Sequence, residues 1–157
     1  MGSQNFWSSL ASIATIIGAG VVIYAAFLAV SQLKEMTKAR HLEAMLRVYD
    51  MIGSERARSS RRFIYSELRS QPEDITSEER EKIEDVSAVL DRIGTLVEAG
   101  LVPEGLLFAS HYEMIILSWD TLAPYILYRR LNLDVTYARH FEHLADLARN
   151  YQSIHEG

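Results

Sequence analysis

The chain has 157 residues, no cysteine and a formal net charge of −5. That length supports one domain with a single core, and the missing thiols exclude disulfides, cysteine nucleophiles, cysteine-ligated zinc and iron–sulfur clusters, as a reducing compartment would allow. Charge is unevenly spread, with nine basic and five acidic residues between Lys34 and Arg69 and seven against sixteen from Ser70 onward; the acidic distal half disfavours nucleic acid as a partner.

Residues 10–30 hold no charged residue and no Asn, Gln, His or Pro. As a helix rising 1.5 Å per residue, this stretch would extend about 30 Å, the thickness of a bilayer's hydrocarbon core. The expectation is a transmembrane helix over 10–30 preceded by a short extracytoplasmic N-terminus, 1–9. A cleaved signal peptide fits less well, because Met1 to Asn5 supplies no basic residue and the apolar run is too long for an h-region. Lys34, Lys38, Arg40 and Arg47 follow the stretch, whereas no basic residue precedes it. The positive-inside rule then orients the N-terminus outside and the body in the cytoplasm, with Phe6 and Trp7 as the outer aromatic anchor. Ala11, Ala14, Gly18, Ala25 and Ala29 recur at offsets of three, four, seven and four. These small residues fall on one face, suited to close helix–helix approach and self-association.

The helix is expected to continue through a juxtamembrane amphipathic segment, 31–53, with Leu42, Met45, Leu46, Tyr49 and Ile52 as its apolar positions and Gly53 as its stop. Such a rod would carry rotation or tilt from the bilayer to a bundle over 54–157. Ser54 reads as the N-cap of a helix over Glu55 to Arg69. Its Arg56, Arg58, Arg61, Arg62 and Arg69 form the densest basic cluster, open to three readings: a solvated face paired with the acidic half, a contact with lipid phosphates, or a pocket for an anionic ligand.

Pro72 forces a loop from Gln71 to Asp74. Thr76 and Glu79 form a capping box for a helix from Ser77 to Ala99, whose apolar stripe is Ile83, Val86, Leu90, Ile93 and Val97. Gly94 interrupts it at some cost in propensity, and Gly100 ends it. Pro103 suits the first position of the next, mostly apolar helix, which Pro124 is expected to kink or divide after Ala123. Asp134 or Thr136 should cap a last helix to Ser153 with Tyr137, Phe141, Leu144, Ala148 and Tyr151 on its apolar face. The fold class is thus all-α, one transmembrane helix continuous with a bundle of about five helices.

Reactive constellations are scarce. The sequence has no P-loop, GxGxxG, HExxH or GxSxG, and no Glu-x-x-His pair for a di-iron bundle. His140 and His143 lack an evident third ligand, and Ser110 and His111, as helix neighbours, point apart. Trp119, Tyr125, Tyr128, Arg129 and Arg130 form the richest local grouping. Tyr125 and Arg129, four apart, would set a guanidinium beside an aromatic face; the alternative is a core tryptophan with arginines closing a helix C-terminus.

The Trp7-led apolar stretch, Gln32 through Arg40 leading into Glu43, Arg61-Arg62-Phe63-Ile64-Tyr65, Gly100-Leu101, and Trp119 through Pro124 to Arg129 make the chain resemble a bacterial domain-of-unknown-function family of small proteins with one N-terminal span. The resemblance implies a membrane-anchored helical body and carries no catalytic residue. The reading that results is a non-enzymatic, single-pass inner-membrane protein without a cofactor, self-associating or docking a protein partner at the bilayer. The alternative is a membrane effector in which Arg56, Arg58, Arg61 and Arg62, with Arg129 and Arg130, bind an anionic nucleotide messenger.

Overall fold

The computed structural model describes residues 2–69 and 71–155, with side chains from Tyr24 onward. Among the described residues five helices follow in order: α1 (Gly2–Gly53), α2 (Glu55–Ser66), α3 (Ser77–Glu98), α4 (Glu104–Asn132) and α5 (Arg139–His155). No strand occurs among the described residues, as the helical periodicities require. The chain divides into two compact units, 1–40 and 41–157. The boundary falls inside the expected juxtamembrane segment because Met45, Val48 and Ile52 are buried in the core of the second unit.

Among the described residues no helix is long and apolar enough to cross a membrane. The expected span over 10–30 is no separate element but part of the longer α1, and its residues 10–23 lie outside the described side chains. From Tyr24 only ten residues precede Lys34, too few for a span on their own.

In the second unit, α5 packs on α3 and α4, and α2 packs chiefly on α3. Ile83, Val86, Leu90, Ile93 and Val97 are all buried, meeting Phe108, Ile115, Leu122 and Ile126 of α4 and Phe141, Leu144, Ala145 and Ala148 of α5 in one core. Trp119 meets Phe141 edge-on at 5.2 Å between ring centroids, the geometry that brings a positive ring edge to a negative face.

Both N-terminal signals act as read. Ser54 accepts the Ala57 N–H, and Thr76 exchanges bonds with Glu79 in a complete capping box. Several ends differ. α2 stops at Ser66 rather than Arg69, because the N–H groups of Glu67 and Leu68 both close on the Phe63 carbonyl and Leu68 folds against the core. α3 ends at Glu98, one residue early, as the chain turns through Gly100 at φ +67. Pro103 is the N-cap of α4 rather than its first helical residue.

Pro124 does not divide α4, which runs unbroken from Glu104 to Asn132. Losing one donor weakens the ladder locally, but Leu122, Tyr125 and Ile126 are buried on either side and hold the helix in place. Neither Asp134 nor Thr136 caps α5. Asp134 Oδ1 instead accepts the Thr136 N–H and hydroxyl at 2.9 and 2.8 Å within the connecting turn, bonds that hold its pKa below the usual carboxylate value. The α5 cap comes from α3: Asp91 Oδ1 accepts the N–H groups of His140 and Phe141 at 2.9 and 3.1 Å. This satisfies orphan donors and places a carboxylate at the positive end of the helix dipole.

Gly94 is explained one turn further along α3. A Cβ there would lie 2.7 Å from the carbonyl carbon of His140 and closer still to its oxygen, so only glycine lets the two backbones approach. Gly94→Ala should destabilise the protein by about 2 kcal/mol or more despite a gain of roughly 1 kcal/mol in helix propensity. Asp91→Ala should cost about 1 to 2 kcal/mol and Asp91→Asn much less, since the amide oxygen still caps. Urea unfolding of the three variants against the parent checks both.

Candidate functional site

The basic residues of α2 are distributed over different partners. Arg56 Nε donates to Asp85 Oδ2 at 2.6 Å and its Nη2 to Glu81 Oε1 at 3.0 Å, tying α2 to α3, while Ser60 Oγ donates to the same Asp85 oxygen at 3.2 Å. The Asp85 bond and charge raise the Arg56 pKa. Arg58 reaches Glu55 on its own helix at 3.0 Å, and Arg62 is exposed. Arg61 turns the other way and donates to the Ile52 carbonyl at 2.7 Å, closing the C-terminal end of α1. Burial lowers its pKa.

Arg129 and Arg130 sit in the last turn of α4 and hold the chain that follows. Arg129 is ion-paired with Glu84, donates to the Tyr125 hydroxyl at 3.3 Å, and lies 4.1 Å from the centroid of the Tyr137 ring. The aromatic face it meets is therefore that of Tyr137, and Tyr125 contributes its oxygen. Burial works against the Arg129 charge, but the bonds to Glu84 and Tyr125 outweigh it and leave its pKa raised. Arg130 binds Glu142 at 2.6 Å and the carbonyls of Tyr137 and Ala138 at 2.8 and 3.1 Å, with its guanidinium 6.0 Å from the Trp119 ring. Ala138 has a positive φ of 54, a conformation costly for alanine that the Arg130 bond helps to hold.

The structure thus does not gather the six arginines around one cavity. An anion at Arg56 or Arg129 would have to displace a carboxylate already bonded there, at the full cost of leaving that carboxylate unpaired.

A family model described as a domain of unknown function, DUF4760, matches residues 12–148. The chain belongs to this family. No curated protein and no solved structure matches it.

Of the small residues expected to mediate self-association in this DUF4760 chain, Ala25 and Ala29 are exposed on α1, whereas Ala11, Ala14 and Gly18 lie outside the described side chains, as do Phe6 and Trp7. No group of three or more histidine or carboxylate residues at metal-binding distance occurs among the described residues. His140 Nδ1 is bonded to Glu98 at 2.6 Å, and the two line an open pocket of about 390 Å³ with Arg139 and His143.

What sequence reasoning missed is the surroundings of His111. Ser110 is exposed and plays no part. The His111 ring packs at 5.4 Å on Tyr49 of α1, and its Nδ1 is buried without a well-formed hydrogen bond. Burial lowers its pKa; the Leu107 backbone offsets this in part, and the nearby Arg61 charge adds to the lowering. The same Arg61 charge also reaches Tyr65, whose hydroxyl shares a hydrogen with Ser118 Oγ at 2.6 Å and whose phenol pKa is raised by burial. Only the apolar neighbours of His111 hinted at this in the sequence.

The shift has a sign. The folded protein favours neutral His111, so as pH falls below the ordinary value of 6.5 the unfolded chain takes up a proton that the fold declines. Stability should be unaffected by this group above pH 6.5 and should fall through the window between 6.5 and the lower folded pKa. His111→Phe, which keeps a ring against Tyr49, should flatten that part of the profile; urea midpoints at pH 5, 6 and 7.5 for both proteins measure it.

Proposed function

We propose that this DUF4760 chain is a non-enzymatic docking module anchored in the bacterial inner membrane by residues 10–30, with its N-terminus outside and residues 41–157 in the cytoplasm. The observation that carries the reading is the 21-residue stretch from Leu10 to Val30 without a charge, followed by Lys34, Lys38, Arg40 and Arg47. Hydrocarbon is the solvent such a stretch fits, and a basic flank fits the anionic cytoplasmic leaflet.

Two further features support docking over chemistry. The bonded arginines tie helices or the α4–α5 connection together through Asp85, Glu84 and Glu142, which favours a structural role for their charge. Large apolar side chains also remain outside the core: Phe27 and Leu33 of α1 are 69% and 62% exposed, and Leu131 of α4 and Val135 of the α4–α5 connection are 86% and 79% exposed. Apolar side chains of this size left in water suit association with lipid or protein.

The chain expressed with its own N-terminus should float with membranes and resist extraction at pH 11. Because it has no cysteine, Ser3→Cys and Ser153→Cys can be labelled selectively: an impermeant maleimide should modify the first in intact cells and the second only after lysis. Recovery of the intact chain in the soluble fraction would defeat the anchor, and the reverse labelling pattern would defeat the orientation.

A further inference from the structure

The α4–α5 connection carries the most exposed large apolar side chains among the described residues. Leu131, Val135 and Leu133 are 86%, 79% and 78% exposed, and Leu127, one turn before Leu131 on α4, is 49% exposed. The α2–α3 loop folds such residues inward instead, with Leu68 and Ile75 packed against the core. A single leucine in water is ordinary, but four large aliphatic residues between positions 127 and 135 make a projecting tip.

The turn keeps most of its donors and charges to itself. The N–H groups of Leu133 and Asp134 both donate to the Arg129 carbonyl at 2.8 and 3.2 Å, and that of Tyr137 donates to the Asp134 carbonyl at 3.1 Å. Thr136 gives both its N–H and its hydroxyl to Asp134 Oδ1. Arg129 and Arg130, which would otherwise ring the tip with charge, are held back by Glu84 and Glu142. Asp134 is then the only charged residue from Leu131 to Ala138. With these N–H groups bonded inside the turn, its side chains can leave water without carrying free donors toward hydrocarbon. A turn already ordered also loses little entropy on contact.

Size and charge identify what covers the tip. A stable contact with a second copy or another protein takes about 20 to 30 residues a side, whereas the large apolar side chains here stand among exposed Asn132, Asp134 and Thr136. Exposure this high means that they project rather than line a groove. A small projecting tip suits a bilayer interface, where apolar side chains dip about 5–10 Å while the backbone stays at headgroup level. Charge then selects the lipid. From Ser70 onward the chain holds seven basic and sixteen acidic residues, a balance that anionic headgroups repel. The ammonium of a zwitterionic headgroup instead complements Asp134, which lies between Leu133 and Val135.

We infer that the α4–α5 turn is a lipid-inserting tip, at which Leu127, Leu131, Leu133 and Val135 enter the interface of a zwitterionic lipid surface. The inference rests on the membrane reading for the presence of a bilayer, whereas the tip itself lies wholly within residues 41–157.

The full chain in phosphatidylcholine vesicles tests it, and the natural absence of cysteine makes labelling selective. Leu131→Cys, Leu133→Cys and Val135→Cys, each carrying an environment-sensitive fluorophore, should be quenched by nitroxide-labelled lipid. They should also lose most of the iodide quenching seen at Ser153→Cys, on the exposed end of α5. Probes as open to iodide as that control would overturn the tip, and shielding without nitroxide quenching would mean that a protein covers it and would overturn the lipid. Leu131→Asp/Val135→Asp, added to labelled Leu133→Cys, should restore iodide quenching with the helical circular dichroism unchanged; a label still shielded would show that the fluorophore enters lipid on its own. Replacing part of the lipid with phosphatidylglycerol should weaken nitroxide quenching, and stronger quenching would overturn the zwitterionic preference. Lipid quenching at neutral pH in a chain that pH 11 then strips from the vesicles would uphold the tip and sink the anchor. A chain that stays in the vesicles with its tip probes in water would do the opposite.

Discussion

The bundle depends on how closely α5 can approach α3. Two residues three apart on α3 set that distance: Asp91 bonds the first free backbone donors of α5, and Gly94 removes the side chain that would otherwise hold the His140 backbone away. Each needs the other. Without the close approach the carboxylate would not reach two N–H groups, and without the cap the N-terminus of α5 would be pressed against α3 with unsatisfied donors. With α5 fixed, Phe141, Leu144, Ala145 and Ala148 fill the space between α3 and α4, and Phe141 positions the Trp119 ring.

Electrostatics completes the same joint from the opposite side. Arg130 gathers two backbone carbonyls and Glu142 from the α4–α5 connection, while Arg129 pairs with Glu84 of α3. These guanidiniums are largely withdrawn from solvent, with side chains 15% and 25% exposed, so their bonds are screened less than those of surface pairs. Arg56, by contrast, lies mostly in solvent with its side chain 67% exposed and contributes orientation of α2 on α3 more than binding strength. Arginines that look alike in the sequence are therefore of two kinds once folded, Arg129 and Arg130 withdrawn from solvent and Arg56 in it.

Much of this was legible in the sequence because it is local. Ser54, the Thr76–Glu79 box and the Ile83-to-Val97 stripe each depend on residues within a few turns of one another, and the structure places them as the spacing requires. The illegible parts are those decided at long range. Asp91 caps a helix 49 residues away, so no local pattern points to it, and Asp134, with a stronger local claim, serves its own turn. Pro124 reads as a break, yet burial on both sides keeps α4 continuous. Gly94 reads as a cost because the backbone it admits belongs to another helix. The same holds for the arginines: their number was readable, but which carboxylate each would meet depended on the packing of α2, α3 and α4.

α1 shows how one helix can carry two apolar faces over the same turns. Met45, Val48 and Ile52 follow the bundle's need for a stripe centred on one direction, while Leu42, Leu46 and Tyr49, at the same three- and four-residue spacing, point roughly 90° away and stay partly in solvent, with Tyr49 leaning on His111. A helix serving only the bundle would carry polar residues there, as α3 does at Lys82, Glu84 and Arg92. Leucine at 42 and 46 is costly to leave in water at about 25 cal/mol per Å² of apolar surface.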